Sequence, residues 1–255
     1  MFRGDKKGQI TIIIIVAIVI VLAVLAVFLY PRISTTISPT VNPSQFLQSC
    51  IQPEVQQDLQ TLAKNGGYQN MEGTVAYQGQ DYKYLCYSSQ YYANCVVQQP
   101  MIKNNFEKEL NVMVKAKGAE CVQSLKSEYE KRGYSVSVGN VDSDVSMIPG
   151  NIRVAFIAPM TITKEQTQTF KEFDVNMKSE MYDLLMIATS IVDFETTYGN
   201  SETTLFMQYY PDLKIQKIQL SDGTRIYILT NVVTGENFMF ASRSIAWPPG
   251  YLGAA

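Results

Sequence analysis

The spacing of hydrophobic and polar positions changes character several times along this chain. Ile10–Tyr30, ITIIIIVAIVIVLAVLAVFLY, is apolar and without a charge. An α-helix needs about 20 such residues to cross the hydrocarbon core of a bilayer. Residues 31–44, PRISTTISPTVNPS, are rich in Ser, Thr and Pro and predict an extended stalk. Helical spacing then takes over: Phe46, Leu47, Cys50, Ile51, Val55, Leu59, Leu62 and Ala63 recur on one face up to Gly66. Asn42 is the expected N-cap with Pro43 in the first turn, and Pro53 predicts a kink or a split.

From Tyr68 to Val97 tyrosines crowd among Gly, Gln and Ser, which predicts short strands or an ordered loop. A second helix is predicted from Pro100 to Lys131, with a pause at Gly118. After Tyr134 the period is two. Ser135–Val138 and Asn151–Ile157 predict strands around a Pro149-Gly150 turn, and Phe170–Val175 predicts another. Lys178–Tyr198 predicts an amphipathic helix carrying Met181, Leu184, Leu185, Ala188, Ile191, Val192 and Glu195, stopped by Gly199-Asn200. Leu213–Leu220 and Arg225–Asn231 flank Ser221-Asp222-Gly223, a hairpin signal, and Asn237–Ser242 follows as a third strand. Trp247-Pro248-Pro249-Gly250 ends the pattern.

The expected fold class is α+β: an N-terminal transmembrane helix, a disulfide-linked helical subdomain, then a mostly antiparallel sheet with one packed helix. The expected organisation is a basic stub (1–9), the span (10–30), the stalk (31–44), the helical subdomain (45–133), the sheet domain (134–247) and a tail (248–255).

Charge sets the orientation. Arg3, Lys6 and Lys7 against Asp5 precede the span, and after it Arg32 is the only charge before Glu54. Basic flanks stay on the cytoplasmic side, so the body is expected outside, on a single-pass chain with a cytoplasmic N-terminus. The run exceeds the apolar core of a cleaved secretory signal, about 7–15 residues, which favours a retained anchor. A net charge of −2 offers no basic surface for nucleic acid.

Cys50, Cys86, Cys95 and Cys121 are even in number and all lie on the expected outer side, which favours disulfides. Of the three pairings, Cys86–Cys95 closes a short loop and Cys50–Cys121 ties two helices; these are the favoured ones. Zinc would need paired C-x₂₋₄-C spacing, which is missing.

The chain has no histidine. That removes the Ser-His-Asp triad, the Cys-His dyad and the usual general base. Thr161-Ile162-Thr163-Lys164 places hydroxyls near a lysine but reads as a strand-edge loop. Asp142-Ser143-Asp144 lacks the Gly and distal Glu of a calcium loop and reads as a solvated turn. A carboxylate enzyme would draw on Asp142, Asp144, Glu165, Glu172, Asp174 and Glu180. No cofactor is expected. Tyr77, Tyr82, Tyr84, Tyr87, Tyr91 and Tyr92 form a candidate contact surface, since Tyr presents wide area at low entropy cost.

The junction Lys7-Gly8-Gln9-Ile10-Thr11, running straight into the apolar stretch, resembles the class III (type IV prepilin-like) signal of archaeal surface proteins. The resemblance implies a cut at Gly8–Gln9 and retention of the apolar segment. Many type IV pilins carry Glu at the fifth mature position, where this chain has Ile13. The order of stub, span, Cys helix ending in Gly66-Gly67-Tyr68, second Cys helix and sheet domain closing at Phe238-Met239-Phe240-Ala241 is similar to uncharacterised membrane-anchored surface proteins of small-genome archaea. That similarity implies architecture and location, and no activity.

Together these features predict a non-catalytic, membrane-anchored extracytoplasmic surface protein with a structural, adhesion or binding role. Its expected partners are the lipid bilayer and other envelope or filament proteins. The alternatives are a type IV pilin-like filament subunit and an ectoenzyme of unknown class.

Overall fold

The computed structural model describes residues 16–22, 24 and 41–248. The chain divides after Asn42 into two units. In the first, residues 16–22 and 24 are helical with exposed side chains. The expected span and stalk lie largely outside the described residues, as does the 248–255 tail beyond Pro248. Among the described residues no helix is long and apolar enough to cross a membrane.

The second unit is α+β. Helix α1 (Pro43–Lys64) buries Leu47, Ile51, Val55, Leu59 and Leu62, nearly one residue per turn on one face. It runs unbroken through Pro53, so the split expected there does not occur. Helix α2 (Ile102–Lys131) is likewise continuous through Gly118. Gly118 serves close packing rather than a pause: a Cβ there would sit 2.2 Å from Cε1 of the buried Phe156 ring. Cys50–Cys121 joins α1 to α2.

Between these helices lie β1 (Thr74–Tyr77), β2 (Gln80–Tyr87) and β3 (Val96–Val97). After α2 come β4 (Ser135–Val138), β5 (Asp142–Ile148), β6 (Asn151–Thr163) and β7 (Thr167–Lys178). Strand β6 is the spine of a four-stranded antiparallel sheet: β4 and β5 take successive stretches of one side, and β7 runs along the other. Asp142-Ser143-Asp144 is therefore the start of β5, not a solvated turn. Its alternation of buried Ser143, Val145 and Met147 with exposed Asp142 and Asp144 is a half-buried strand pattern.

Helix α3 (Met181–Tyr198) ends on Gly199 in the left-handed region, φ 73°, whose N–H donates to the Glu195 carbonyl at 3.1 Å. A short helix α4 (Thr204–Tyr209), for which the sequence carries no apolar stripe, precedes β8 (Leu213–Gln219), β9 (Thr224–Asn231) and β10 (Asn237–Arg243). The second sheet has the order β1-β2-β10-β9-β8, with β3 beside β2. The β2–β10 pair is parallel, the exception among the strand pairs of the described residues. It hydrogen-bonds strands from either side of the boundary expected at 133/134, and the described residues from Pro43 onward form one compact unit. Aromatic rings link the layers: Phe106 of α2 lies 6.2 Å from Phe238, Phe238 5.9 Å from Phe240, and Phe240 stacks on Tyr227 at 5.1 Å.

Two stability outcomes follow. Gly118→Ala gains about 1 kcal/mol in helix propensity but forces Phe156 from its place, at an overpacking cost of about 1–3 kcal/mol. The denaturant midpoint should fall, and Phe156→Leu in the same chain should recover the loss. Replacing both Cys50 and Cys121 by Ala opens a cross-link spanning 71 residues, expected to cost about 4 kcal/mol in the chain-entropy model. Urea unfolding checks both.

Candidate functional site

The six tyrosines of the expected contact surface separate into two groups. Tyr82 is buried with Ile226 and Ala241, and Tyr77 and Tyr84 pack against that cluster. The Tyr84 hydroxyl shares a hydrogen bond with Thr224 Oγ1 at 2.8 Å. Tyr82 is therefore interior, and Tyr77 and Tyr84 are half-buried against it. Tyr87, Tyr91 and Tyr92 are exposed, by 38%, 45% and 54%.

An irregularity in β2 brings the two groups together at Tyr84 and Tyr87. The β2–β10 register shifts between Ala241 and Ser242: Ala241 faces Tyr84, but Ser242 faces Cys86. Strict alternation would send Tyr84 and Tyr87 to opposite faces. The bulge brings both to one face, with ring centroids 4.9 Å apart. It also turns Cys86 toward the core, where it meets Cys95 and closes residues 87–94 into a loop.

That loop is held from below by the chain leaving β10. Tyr92 N–H donates to the Ala246 carbonyl at 3.0 Å, Ile245 N–H to the Ala93 carbonyl at 3.0 Å, and Tyr91 bridges Ala246. Asn94 Nδ2 donates to the carbonyls of Thr196 and Thr197 at 2.8 and 3.0 Å, docking the loop on the C-terminus of α3. Tyr92 and Ile245 both have positive φ, 58° and 41°. For a β-branched Ile this is an outlier that persists only where surrounding contacts impose it.

Trp247 and Arg243 complete the surface. Trp247, 41% exposed, meets Tyr92 edge to face at 5.0 Å. Arg243 is buried. Its guanidinium lies 5.6 Å from the Tyr91 ring centroid and 6.0 Å from that of Tyr87. Nε donates to the Asp222 carbonyl at 3.0 Å, and Nη1 donates to the Ser88 carbonyl. Arg243 is thus a strut under the rings rather than a presented charge. The result is an aromatic platform of Tyr87, Tyr91, Tyr92 and Trp247. Sequence reasoning found the three tyrosines but not Trp247 or Arg243, which join them only through the β10 exit. The one available signal was that Trp247 is the sole tryptophan.

Beneath the platform lies a buried ionic network. Glu195 of α3 is fully buried. Its carboxylate accepts from Arg225 Nη1 at 3.0 Å, Ser242 Oγ at 3.2 Å, Ser201 N–H at 3.1 Å and the Tyr227 hydroxyl. Ser244 Oγ donates to the Glu195 carbonyl at 2.8 Å and accepts from Cys95 N–H at 3.0 Å. Burial, then the adjacent Glu195 charge, push the Tyr227 phenol far above its ordinary range, so it stays a proton donor. Glu195 lies on the expected apolar stripe of α3, and its partners come from β9 and β10.

Of the candidate acids, Glu172 and Asp174 come together, but on an exposed strand rather than in a pocket. Lys115 lies 2.8 Å from Asp142, whose carboxyl it holds below the usual range by hydrogen bonding. Glu172 and Asp174 both pair with Arg153, at 3.4 and 2.7 Å on an exposed face. Glu180 is pushed up by burial, then by Asp183 and Glu236, but sits at the entry to α3. Thr163 shares a hydrogen bond with Thr167, while Lys164 donates to the Arg132 carbonyl, so that pair does not meet. One open groove of about 540 Å³ is lined by Met101, Ile102, Met147, Ile148, Tyr182 and Met186; a second of about 270 Å³ is lined by Gln56, Gln60, Lys64, Glu236 and Asn237 among others. Neither contains two of the candidate acids. Among the described residues no group of three His, Cys, Asp or Glu is placed to hold a metal ion. Lys7, Gly8 and Gln9 lie outside the described residues.

Comparison with known proteins finds no matching family model, no matching curated protein and no matching solved structure.

The network predicts an asymmetric mutational response. Arg225→Met leaves Glu195 buried without its cation and should cost about 3–5 kcal/mol. Glu195→Leu combined with Arg225→Met removes both charges and should recover much of that loss. Equal destabilisation of the single and double variants in urea would contradict this account.

Proposed function

We propose that this protein is a non-catalytic, membrane-anchored extracytoplasmic surface protein that binds through the Tyr87–Tyr91–Tyr92–Trp247 platform. The observation that carries the reading is three exposed tyrosine rings on a disulfide-closed loop, joined by Trp247 from the β10 exit, over a buried Arg243. A protein rarely leaves aromatic area exposed and also rigid without a use for it, because rings ordered in advance lose little entropy on binding. The disulfides Cys50–Cys121 and Cys86–Cys95 suit an oxidising compartment. The uncharged run Ile10–Tyr30 behind Arg3, Lys6 and Lys7 supports a retained anchor with the body outside.

External protease on intact cells is expected to digest the body and leave a small embedded stub; protection of the body until lysis would reverse the orientation. The mass of the mature N-terminus separates an intact anchor from a chain cut at Gly8–Gln9, the outcome that would favour a filament subunit. For binding, the full-length protein in nanodiscs is expected to be retained on isolated cell envelopes. Tyr91→Ala with Tyr92→Ala should lower retention at least tenfold. Tyr209→Ala, which removes a still more exposed ring on α4, should leave it unchanged. Equal retention of all three forms would remove the platform from the reading.

A further inference from the structure

We infer that the platform binds a neutral carbohydrate chain, an inference that rests on the platform being the binding face. Three observations point to this ligand class.

The first is charge. Residues 87–94, Tyr-Ser-Ser-Gln-Tyr-Tyr-Ala-Asn, hold no ionisable group except the phenols. The cation beneath, Arg243, is buried and committed to two carbonyls and two ring faces. The nearby Asp222 carboxylate is turned back onto Thr224, accepting from its N–H at 2.9 Å and its hydroxyl at 3.0 Å. An anionic glycan, a phosphopeptide or an acidic bilayer needs presented Lys or Arg for affinity and steering. Among the described residues the platform presents none.

The second is area. Tyr and Trp side chains bury about 150–250 Å² each when covered. At exposures of 38–54%, the four rings offer roughly 300–400 Å² in total. A stable protein–protein interface takes about 800 Å² from each partner. The rings alone fall short of that and are of a size to stack against a short run of sugar rings.

The third is chemistry. A pyranose ring has a face of C–H groups and a rim of hydroxyls. The C–H face is complementary to the negative face of an aromatic ring. The hydroxyls find partners in the exposed Ser89 and Gln90, which stand in the same loop as Tyr87, Tyr91 and Tyr92. The rings are ordered before the ligand arrives: the disulfide, the Ala246 and Ala93 backbone bonds and the Arg243 strut hold the loop. Binding therefore loses little conformational entropy.

Trp247 is the only tryptophan in the chain, so its emission reports on the platform alone. The full-length protein in nanodiscs is titrated with soluble neutral polysaccharides (a β-glucan, an α-glucan and a galactomannan), with dextran sulfate, and with free vesicles of phosphatidylcholine and phosphatidylglycerol. The expected result is a saturable change in Trp247 emission with at least one neutral polysaccharide, unaltered between 50 and about 500 mM salt, since no ion pair forms. Tyr91→Ala should weaken that binding at least tenfold with the melting temperature and the Cys86–Cys95 link intact, and Tyr209→Ala should not. A response only to dextran sulfate, falling with salt, would overturn the inference. So would a response only to vesicles, or none to any probe. If no polysaccharide binds but Tyr91→Ala with Tyr92→Ala still abolishes envelope retention, the carbohydrate assignment fails and the binding face stands. If both fail, the binding face itself is refuted.

Discussion

The body is organised around one buried carboxylate. Glu195 sits on α3 with no solvent to satisfy it, and its partners come from β9, β10 and the loop after Gly199. An isolated charge in that position would cost several kcal/mol, so every partner is needed at once. That requirement sets the distance and orientation of α3 against the sheet. It also extends outward: Ser244 links the Glu195 backbone to Cys95, and Cys95 closes the loop that carries the tyrosines. Gly199 belongs to the same arrangement. Its left-handed turn lets the Ile245 side chain lie where a Cβ would come within 2.0 Å.

Surface and core are therefore coupled through β10. Successive residues of that strand's exit alternate in role. Ser242 and Ser244 turn inward to Glu195, while Arg243 turns outward to Tyr87, Tyr91 and the Ser88 carbonyl. The strained conformations of Tyr92 and Ile245 occur where the loop and this exit segment bond to one another. Such strain is stable only inside a frame that over-determines it. An aromatic face assembled this way is ordered in advance, which suits the neutral carbohydrate chain proposed for it.

The far side of the molecule depends on different physics. There α1 and α2 pack along one another and are cross-linked by Cys50–Cys121. Gly118 lets α2 approach β6 closely enough for Phe156 to fill the gap. The aromatic series Phe106, Phe238, Phe240 and Tyr227 carries that packing across to the network around Glu195.

Local pattern was enough to locate most of the elements. Residues at helical spacing, such as Leu47, Ile51 and Val55 or Leu184, Ala188 and Ile191, and the Ser221-Asp222-Gly223 turn depend on neighbours a few positions away, and so do the stops at Gly66 and Gly199. Both disulfides were legible for a similar reason, since loop length and helix periodicity restricted the pairings. The assembly was not legible. Strand β5 was hidden because Asp142 and Asp144 face solvent while Ser143 faces the core, a choice made by β6. The parallel pairing of β2 with β10 joins residues more than 150 positions apart, and no local signal encodes such a contact. The bulge within that pairing put Tyr87 on the same face as Tyr84 and left Cys86 buried at the root of the loop. It also brought Arg243 and Trp247, remote in sequence, beside Tyr91 and Tyr92. Sequence by itself determined which residues form helices, turns and cross-links, because those depend on short-range geometry and covalent chemistry. The tertiary structure alone decided which face each aromatic ring occupies, because that depends on long-range register, where a shift of one residue inverts inside and outside.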